Sequence, residues 1–314
     1  MEIYKQITDY ITAFQGFSAW PELQRIFYNA ASGKPKHWII PSLACEALGG
    51  GIEQAIPGVA AIACLHVSII LIDDMLDSDP RGEHNRIGLP ATANLATAFQ
   101  ALGLEAIQRS ELTLRTKLVA LESLNNMIRK TSYGQYLDTL NSIDESTYWQ
   151  IIQSKSSPFF GAALQVGGLY GSASIEVGEQ LNQLGCLYGE CIQIHDDLND
   201  SLAVPANPDW SGNRAPLPIL FAKVVNHPDR DRFLALLREI NDPKNLTEAQ
   251  EILVRCGAVS YCLDRILAKQ KEALLLLNAI PLANKTVLEK LLDGLVLPVW
   301  NLLNAINPNQ SLSL

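Results

Sequence analysis

Two long apolar stretches of this chain each run into a cluster of aspartates. The first closes with Ile70-Leu71-Ile72-Asp73-Asp74-Met75-Leu76-Asp77. The second closes with Gln193-Ile194-His195-Asp196-Asp197-Leu198-Asn199-Asp200. Both clusters read D-D-x-x-D. On a helix, residues i and i+4 lie one above the other. Asp73 therefore projects with Asp77 and Asp196 with Asp200, while Asp74 and Asp197 stand beside them. Carboxylates held that close repel one another unless a cation sits among them. Magnesium suits such a place: it takes oxygen ligands, keeps several waters and bridges one or two carboxylates to a phosphate. A lone acidic run is usually a solvated helix face. Two copies of one pattern, each behind apolar residues, point instead to metal ligands.

Helical spacing runs through the rest of the chain. Tyr4, Ile7, Tyr10, Ile11 and Phe14 recur at three- and four-residue steps, as on an amphipathic helix. Ser32 to Lys36 is a Gly/Pro break. A helix from Pro41 to Leu48 stops at Gly49-Gly50-Gly51. Pro57 opens the next, which runs to Asp77 and is apolar on all sides, hence buried. Further helices are expected over 92–110, 112–136, 145–170, 175–198, 217–225, 230–240, 247–256, 258–277 and 285–306. Residues 78–86 and 203–218 read as loops, and 307–314 as a frayed end. No alternating strand pattern of useful length appears. The expectation is one all-α domain over 1–314, with the two acidic clusters facing each other across a central cavity, as bundle sites are often built.

The bulk numbers narrow the function. The 314 residues carry 24 basic against 33 acidic side chains, a net charge of −9. That balance excludes general nucleic-acid binding, which needs a basic face. An anionic substrate stays possible, because bound metal ions reverse the local sign. The six cysteines (Cys45, Cys64, Cys186, Cys191, Cys256 and Cys262) form no C-x-x-C, and most sit among small apolar neighbours. The apolar run 56–72 holds Pro57, Gly58 and His66 and ends in aspartates, so no transmembrane segment is expected. With no secretory leader read at Met1, the expectation is a reduced, cytoplasmic protein.

The motifs together resemble the trans-isoprenyl diphosphate synthases, or polyprenyl synthetases, over about residues 30–270. The first aspartate cluster, with His66 upstream, is similar to that family's first aspartate-rich motif, and Gln193 with Asp196, Asp197 and Asp200 to its second. Gly134-Gln135-x-x-Asp138 resembles the family's G-Q-x-x-D. Lys155 resembles the lysine that contacts the allylic diphosphate, and Leu217-Pro218-Ile219-Leu220 the L-P-L-L after the second motif. The resemblance implies an antiparallel helical bundle of the isoprenoid synthase type, a homodimer, and three Mg²⁺ ions gripping an allylic prenyl diphosphate. It implies metal ligands at Asp73, Asp74, Asp77, Asp138, Asp196, Asp197 and Asp200. Catalytic roles fall to the first cluster, Lys155, Gln193 and Asp196, and substrate contacts to His66, Gln135 and Lys155.

The chain departs from the family where a second diphosphate, that of isopentenyl diphosphate, would bind. Against G-G-K-R-x-R-P stands Ser32-Gly33-Lys34-Pro35-Lys36-His37-Trp38, which keeps Lys34 and loses both arginines. Lys36 compensates only in part, because lysine lacks the bidentate fork of arginine. Against R-R-G stands one arginine, Arg81 or Arg86. Of the two lysines expected before L-P neither is present, and Arg214 stands where the second would be. The expected function is therefore Mg²⁺-dependent ionisation of an allylic diphosphate without isopentenyl diphosphate, as in prenyl-synthase-like terpene synthases. The alternatives are chain elongation with isopentenyl diphosphate, prenyl transfer to another acceptor, and a non-catalytic synthase subunit. Substrate tails in this family run back from the first motif along its helix. There Ser68 and Ile69 stand one turn before Asp73, with no aromatic plug, so a fifteen- or twenty-carbon substrate is expected.

Overall fold

The computed structural model describes residues 2–140, 144–210 and 216–306, the last nine by backbone alone. Helices account for all the regular structure among the described residues. They gather into two compact units, each built from three stretches of chain.

One unit comprises residues 1–129, 159–185 and 278–288. It holds α1 (Glu2–Thr12), α2 (Gln15–Ser18), α3 (Pro21–Ser32), α4 (Ile40–Ala47), α5 (Ile52–Asp77), α6 (His84–Ile87), α7 (Leu89–Gln108) and most of α8 (Leu114–Asp138). Nearly all of α10 (Ser157–Tyr170) and the start of α11 (Ile175–Leu202) complete its helices. Helix α5 is its centre and packs against α1, α4 and α7. Its residues from Ala55 to Leu65 are buried apart from Pro57. Each large aliphatic so buried contributes roughly 1.5–3 kcal/mol. Among the described residues, α5 is the one helix long and apolar enough to cross a membrane, and most of that apolar window lies inside the protein. Small residues set the packing. A β-carbon at Gly103 of α7 would lie 2.9 Å from Leu65 Cγ, and one at Gly58 would lie 2.8 Å from the Tyr170 ring.

The other unit comprises residues 130–158, 186–277 and 289–314. It holds the end of α8, α9 (Glu145–Lys155), the rest of α11, α12 (Leu217–Val224), α13 (Arg230–Leu236), α14 (Pro243–Arg255), α15 (Ala258–Ala279) and α16 (Thr286–Ile306), of which the first three residues fall in the other unit. One core joins Tyr148 and Ile152 of α9 to Ile194 and Leu198 of α11, Leu217 and Leu220 of α12, and Cys262 and Ile266 of α15. A second surrounds Trp210 and Phe233.

Several helix limits differ from those expected: α7 starts at Leu89, α11 runs on to Leu202, and α6 falls almost wholly within the segment read as a loop. Three further differences have a visible local cause. Helix α5 starts at Ile52 rather than Pro57, because the Gln54 side chain accepts the Gly51 N–H at 2.7 Å and closes the first turn. The single helix expected over 145–170 breaks at Ser156, where the Ser157 hydroxyl donates back to the Ile152 carbonyl at 3.1 Å, just before Pro158. Helix α14 begins at Pro243, four residues earlier than expected, because Asp242 accepts the N–H groups of Lys244 and Asn245.

Candidate functional site

The first aspartate cluster occupies the last turn of α5. The helix stops at Ser78, whose φ of 53° is left-handed, and the Asp79 N–H turns back to the Asp74 carbonyl at 2.9 Å. A serine there costs about 1–2 kcal/mol that glycine would not. Helix C-termini carry partial negative charge, so carboxylates sit badly there. Asp73 and Asp74 are half-buried and Asp77 is exposed. Burial, then Asp79 and Asp73, push the Asp74 carboxyl up to about 6. The following loop presses on Asp74: a β-carbon at Gly82 would lie 2.9 Å from Asp74 Cβ. The two arginines of this loop are engaged by acids. Arg81 pairs with Asp79 at 2.7 Å, and Arg86 pairs with Glu83 at 3.0 Å and with Glu22. Arg25 joins that network through Glu83 at 2.6 Å and Glu22 at 2.9 Å.

One turn and more back along α5 lie the other candidates of this unit. His66 accepts a hydrogen bond at Nδ1 from Trp38 Nε1–H, at 3.0 Å. Its ring stands 4.8 Å from that of His37 and 5.3 Å from that of Phe159. Burial, then His37, push the His66 pKa down to about 3, and burial lowers that of His37 as well. Both rings are neutral at ordinary pH. Trp38 is fully buried and stacks on Phe27, with ring centroids 5.6 Å apart. Lys34 and Lys36 are exposed, and Lys34 holds a left-handed φ of 48°. Ser68 is 1% exposed with its hydroxyl unpaired, and Ile69 is half-buried.

In the other unit, Gly134 sets the geometry. A β-carbon there would lie 2.3 Å from the Lys155 backbone nitrogen, so the end of α8 crosses the end of α9 with no side chain between them. One turn on from Gly134, Asp138 meets Lys155 in an ion pair of 2.7 Å, both side chains largely enclosed. Gln135, next to Gly134, is buried. On α11, Asp197 is buried and takes three hydrogen bonds: from the Tyr148 hydroxyl at 2.6 Å, the Leu217 N–H at 2.9 Å and the Gln193 amide at 3.0 Å. Gln193 in turn accepts from the Ser156 hydroxyl at 2.6 Å. Those donors favour the carboxylate, yet burial still holds Asp197 up at about 6. Asp196 still reaches solvent, and burial followed by Asp200 pushes it up to about 6. His195 faces the Leu295 carbonyl at 2.6 Å, and burial lowers its pKa. Arg214 lies outside the described residues.

Each unit thus collects its own share of the expected residues. Hard carboxylate donors toward the helix C-termini, Asp74 and Asp196 among them with pKa values raised by burial and by neighbouring acids, fit magnesium. Among the described residues, no three His, Cys, Asp or Glu side chains form a metal cage by themselves. Asp197 is the exception in its motif, because its oxygens are already spoken for by three donors. Trp38, Tyr148 and Ser156 are polar partners that motif reading did not find. Tyr148 sits two helical turns before Lys155, which spacing could have shown, whereas nothing in the sequence pairs Trp38 with His66.

A family model described as polyprenyl synthetase matches residues 22–254. The chain is 29% identical over 182 residues to the geranylgeranyl diphosphate synthase of Methanosarcina mazei, covering 55% of this chain and 56% of that protein. It therefore spans little more than half of that relative. It is 28% identical over 246 residues to the short chain isoprenyl diphosphate synthase of Methanothermobacter thermautotrophicus, covering 74% and 75%. Among solved structures, its fold is similar to that of a polyprenyl synthase from Caulobacter crescentus complexed with calcium and isoprenyl diphosphate. The TM-score is 0.78 and the identity 23%, covering 94% of this chain and 93% of that one.

Proposed function

The chain belongs to the polyprenyl synthetase family of enzymes, and on that footing we propose that it ionises an allylic prenyl diphosphate of fifteen or twenty carbons and joins the prenyl unit to isopentenyl diphosphate. This reverses the order in which the sequence departures rank the two reactions, since the relatives above are named as prenyl diphosphate synthases. The observation that carries it is the pair of acidic helix ends, in which Asp74 and Asp196 are both pushed up to about 6. Carboxylates so placed gain from a divalent cation and from the phosphate it brings.

Asp73, Asp74, Asp77, Asp138, Asp196 and Asp200 would hold three magnesium ions, with Asp197 positioning Gln193 and the start of α12. Bound magnesium neutralises the diphosphate and makes it a competent leaving group. Lys155 leaves its ion pair with Asp138 and binds the diphosphate, where its charge favours the departing oxygen. Gln135 and Gln193 orient oxygens around the reacting centre. The apolar face of α5, with Ser68 and Ile69, holds the prenyl tail and keeps water from the allylic cation. His66, Lys34, Lys36 and Arg86 serve the second diphosphate, and Arg214 belongs to the proposed diphosphate contacts. The two aspartate clusters facing one diphosphate, a single domain over 1–314, a homodimer and a cytoplasmic location are parts of the same proposal.

A second reading, ionisation without isopentenyl diphosphate, is favoured by one observation. Arg81 and Arg86 are held by acids while His37 and His66 are neutral, which leaves the second-diphosphate region short of positive charge. The test is purified protein with Mg²⁺ and prenyl diphosphates of ten, fifteen and twenty carbons, with and without isopentenyl diphosphate, products read by mass. Longer diphosphates formed only with isopentenyl diphosphate support elongation. Hydrocarbons or alcohols formed without it support the second reading, and no turnover of any substrate sinks both.

A further inference from the structure

Trp38 stands where the family resemblance places a proline, and its only polar atom is committed. The indole N–H donates to His66 Nδ1 at 3.0 Å. An indole nitrogen donates and never accepts, so Nδ1 must carry a lone pair. The ring proton is therefore on Nε2, because the bond made by one nitrogen decides the state of the other. No hydrogen bond from Nε2 is made among the described residues. Among the described residues, His37 at 4.8 Å is the one charge partner that bears on the ring, and the Trp38 and Phe159 rings stand beside it. Charging His66 would break the Trp38 bond and bring a cation beside His37. The indole itself cannot swing away, since it is fully buried and stacked on Phe27.

We propose that Trp38 is a positioning residue that locks His66 as a neutral Nε2–H donor reserved for an oxygen of the second diphosphate. The inference rests on the reading of His66 given above and adds what fixes its proton. A neutral donor contributes direction without charge, so the contact does not strengthen as pH falls.

The test is nitrogen-15 imidazole NMR on the full-length protein without substrate, assigned through His66→Gln. The wild type is expected to show one His66 tautomer, Nε2–H, with no titration between pH 8 and pH 5. Trp38→Phe is expected to give mixed tautomers and an upward shift of the His66 midpoint. In the same variant KM for isopentenyl diphosphate should rise roughly 3- to 10-fold, the worth of one neutral hydrogen bond, with kcat unchanged. An Nδ1–H or mixed tautomer in the wild type overturns the lock, and so does an unchanged spectrum in Trp38→Phe. If Trp38→Phe fails to fold, the wild-type tautomer alone still decides. If the spectrum changes as expected but KM does not, the lock stands and His66 is not a contact of the second diphosphate.

Discussion

At the end of α5, Asp74 takes no hydrogen bond from any described side chain, and the acids Asp79 and Asp73 outweigh Arg81 and His84 beside it. At the matching place on α11, Asp197 is buried and accepts from Tyr148, Gln193 and the Leu217 backbone. The two motifs share one string and divide the work differently. In the first cluster the middle aspartate raises the local charge. In the second it ties α9, α11 and α12 together. Identical spacing fixes which face a residue takes, and neighbours fix what it does there.

The largest effects test that division directly. Asp73→Ala and Asp196→Ala should each lower Mg²⁺-dependent turnover by about 10³-fold, with urea midpoints close to wild type. Asp197→Ala should behave otherwise. It strands three donors in a buried place, and at about 1–3 kcal/mol for each the unfolding free energy should fall by roughly 3 kcal/mol or more. Initial rates and urea titrations on the three variants decide it. An Asp197→Ala protein as stable as wild type breaks the comparison.

A smaller effect sharpens it on the α9 side. Lys155→Ala should lower turnover by about 10²-fold while the fold survives. Gly134→Ala should reach the same group through the backbone. It overpacks the crossing at a cost of roughly 1–3 kcal/mol and lowers turnover without touching any charged group. Activity of both variants at the wild-type level would mean that the ion pair with Asp138 has no part in the reaction.

The smallest effect is a slope with pH. Asp74 and Asp196 stand at about 6 in the fold, above the ordinary aspartate value of about 3.9. Between those limits the folded chain holds protons that the unfolded chain has lost, so stability falls as pH rises from about 4 to 6. Magnesium selects the ionised carboxylates and opposes that fall. The rise in Tm on adding Mg²⁺ should therefore be small at pH 5 and reach about 2 °C or more at pH 7. Thermal melts with and without Mg²⁺ check this. In Asp74→Asn with Asp196→Asn, the slope that remains without metal belongs chiefly to Asp197, which in the wild type is raised to about 6 first by burial and then by Asp196. An Mg²⁺ effect that is equal at both pH values would separate the metal from these carboxyls.

Much of the fold was legible because apolar periodicity reports burial, and burial here is helical almost throughout. The buried course of α5 and its acidic end followed from residues 57–77. The helix limits that moved did so for local reasons that periodicity does not carry, namely the Gln54 cap, the Asp242 cap and the return of Ser157 to Ile152. The site was legible as a set of residue types and less so as a set of partners. Asp138 and Lys155 were both expected, but not their ion pair in this structure. Arg86 was expected to face an anion and is held by Glu22 and Glu83. Trp38 and His66 lie 28 residues apart, and no rule of spacing reaches from one to the other.

The bare crossing at Gly134 has a consequence for how this protein can change over time. Where side chains fill a helix contact, drift can exchange one for another and keep the distance. Here the spacing is set by main chain against main chain, with 2.3 Å left for any added carbon. No exchange of residues keeps it. Descendants of this chain can exchange other residues around this crossing, but glycine at 134 is the single amino acid that lets the lysine on the facing helix keep its address.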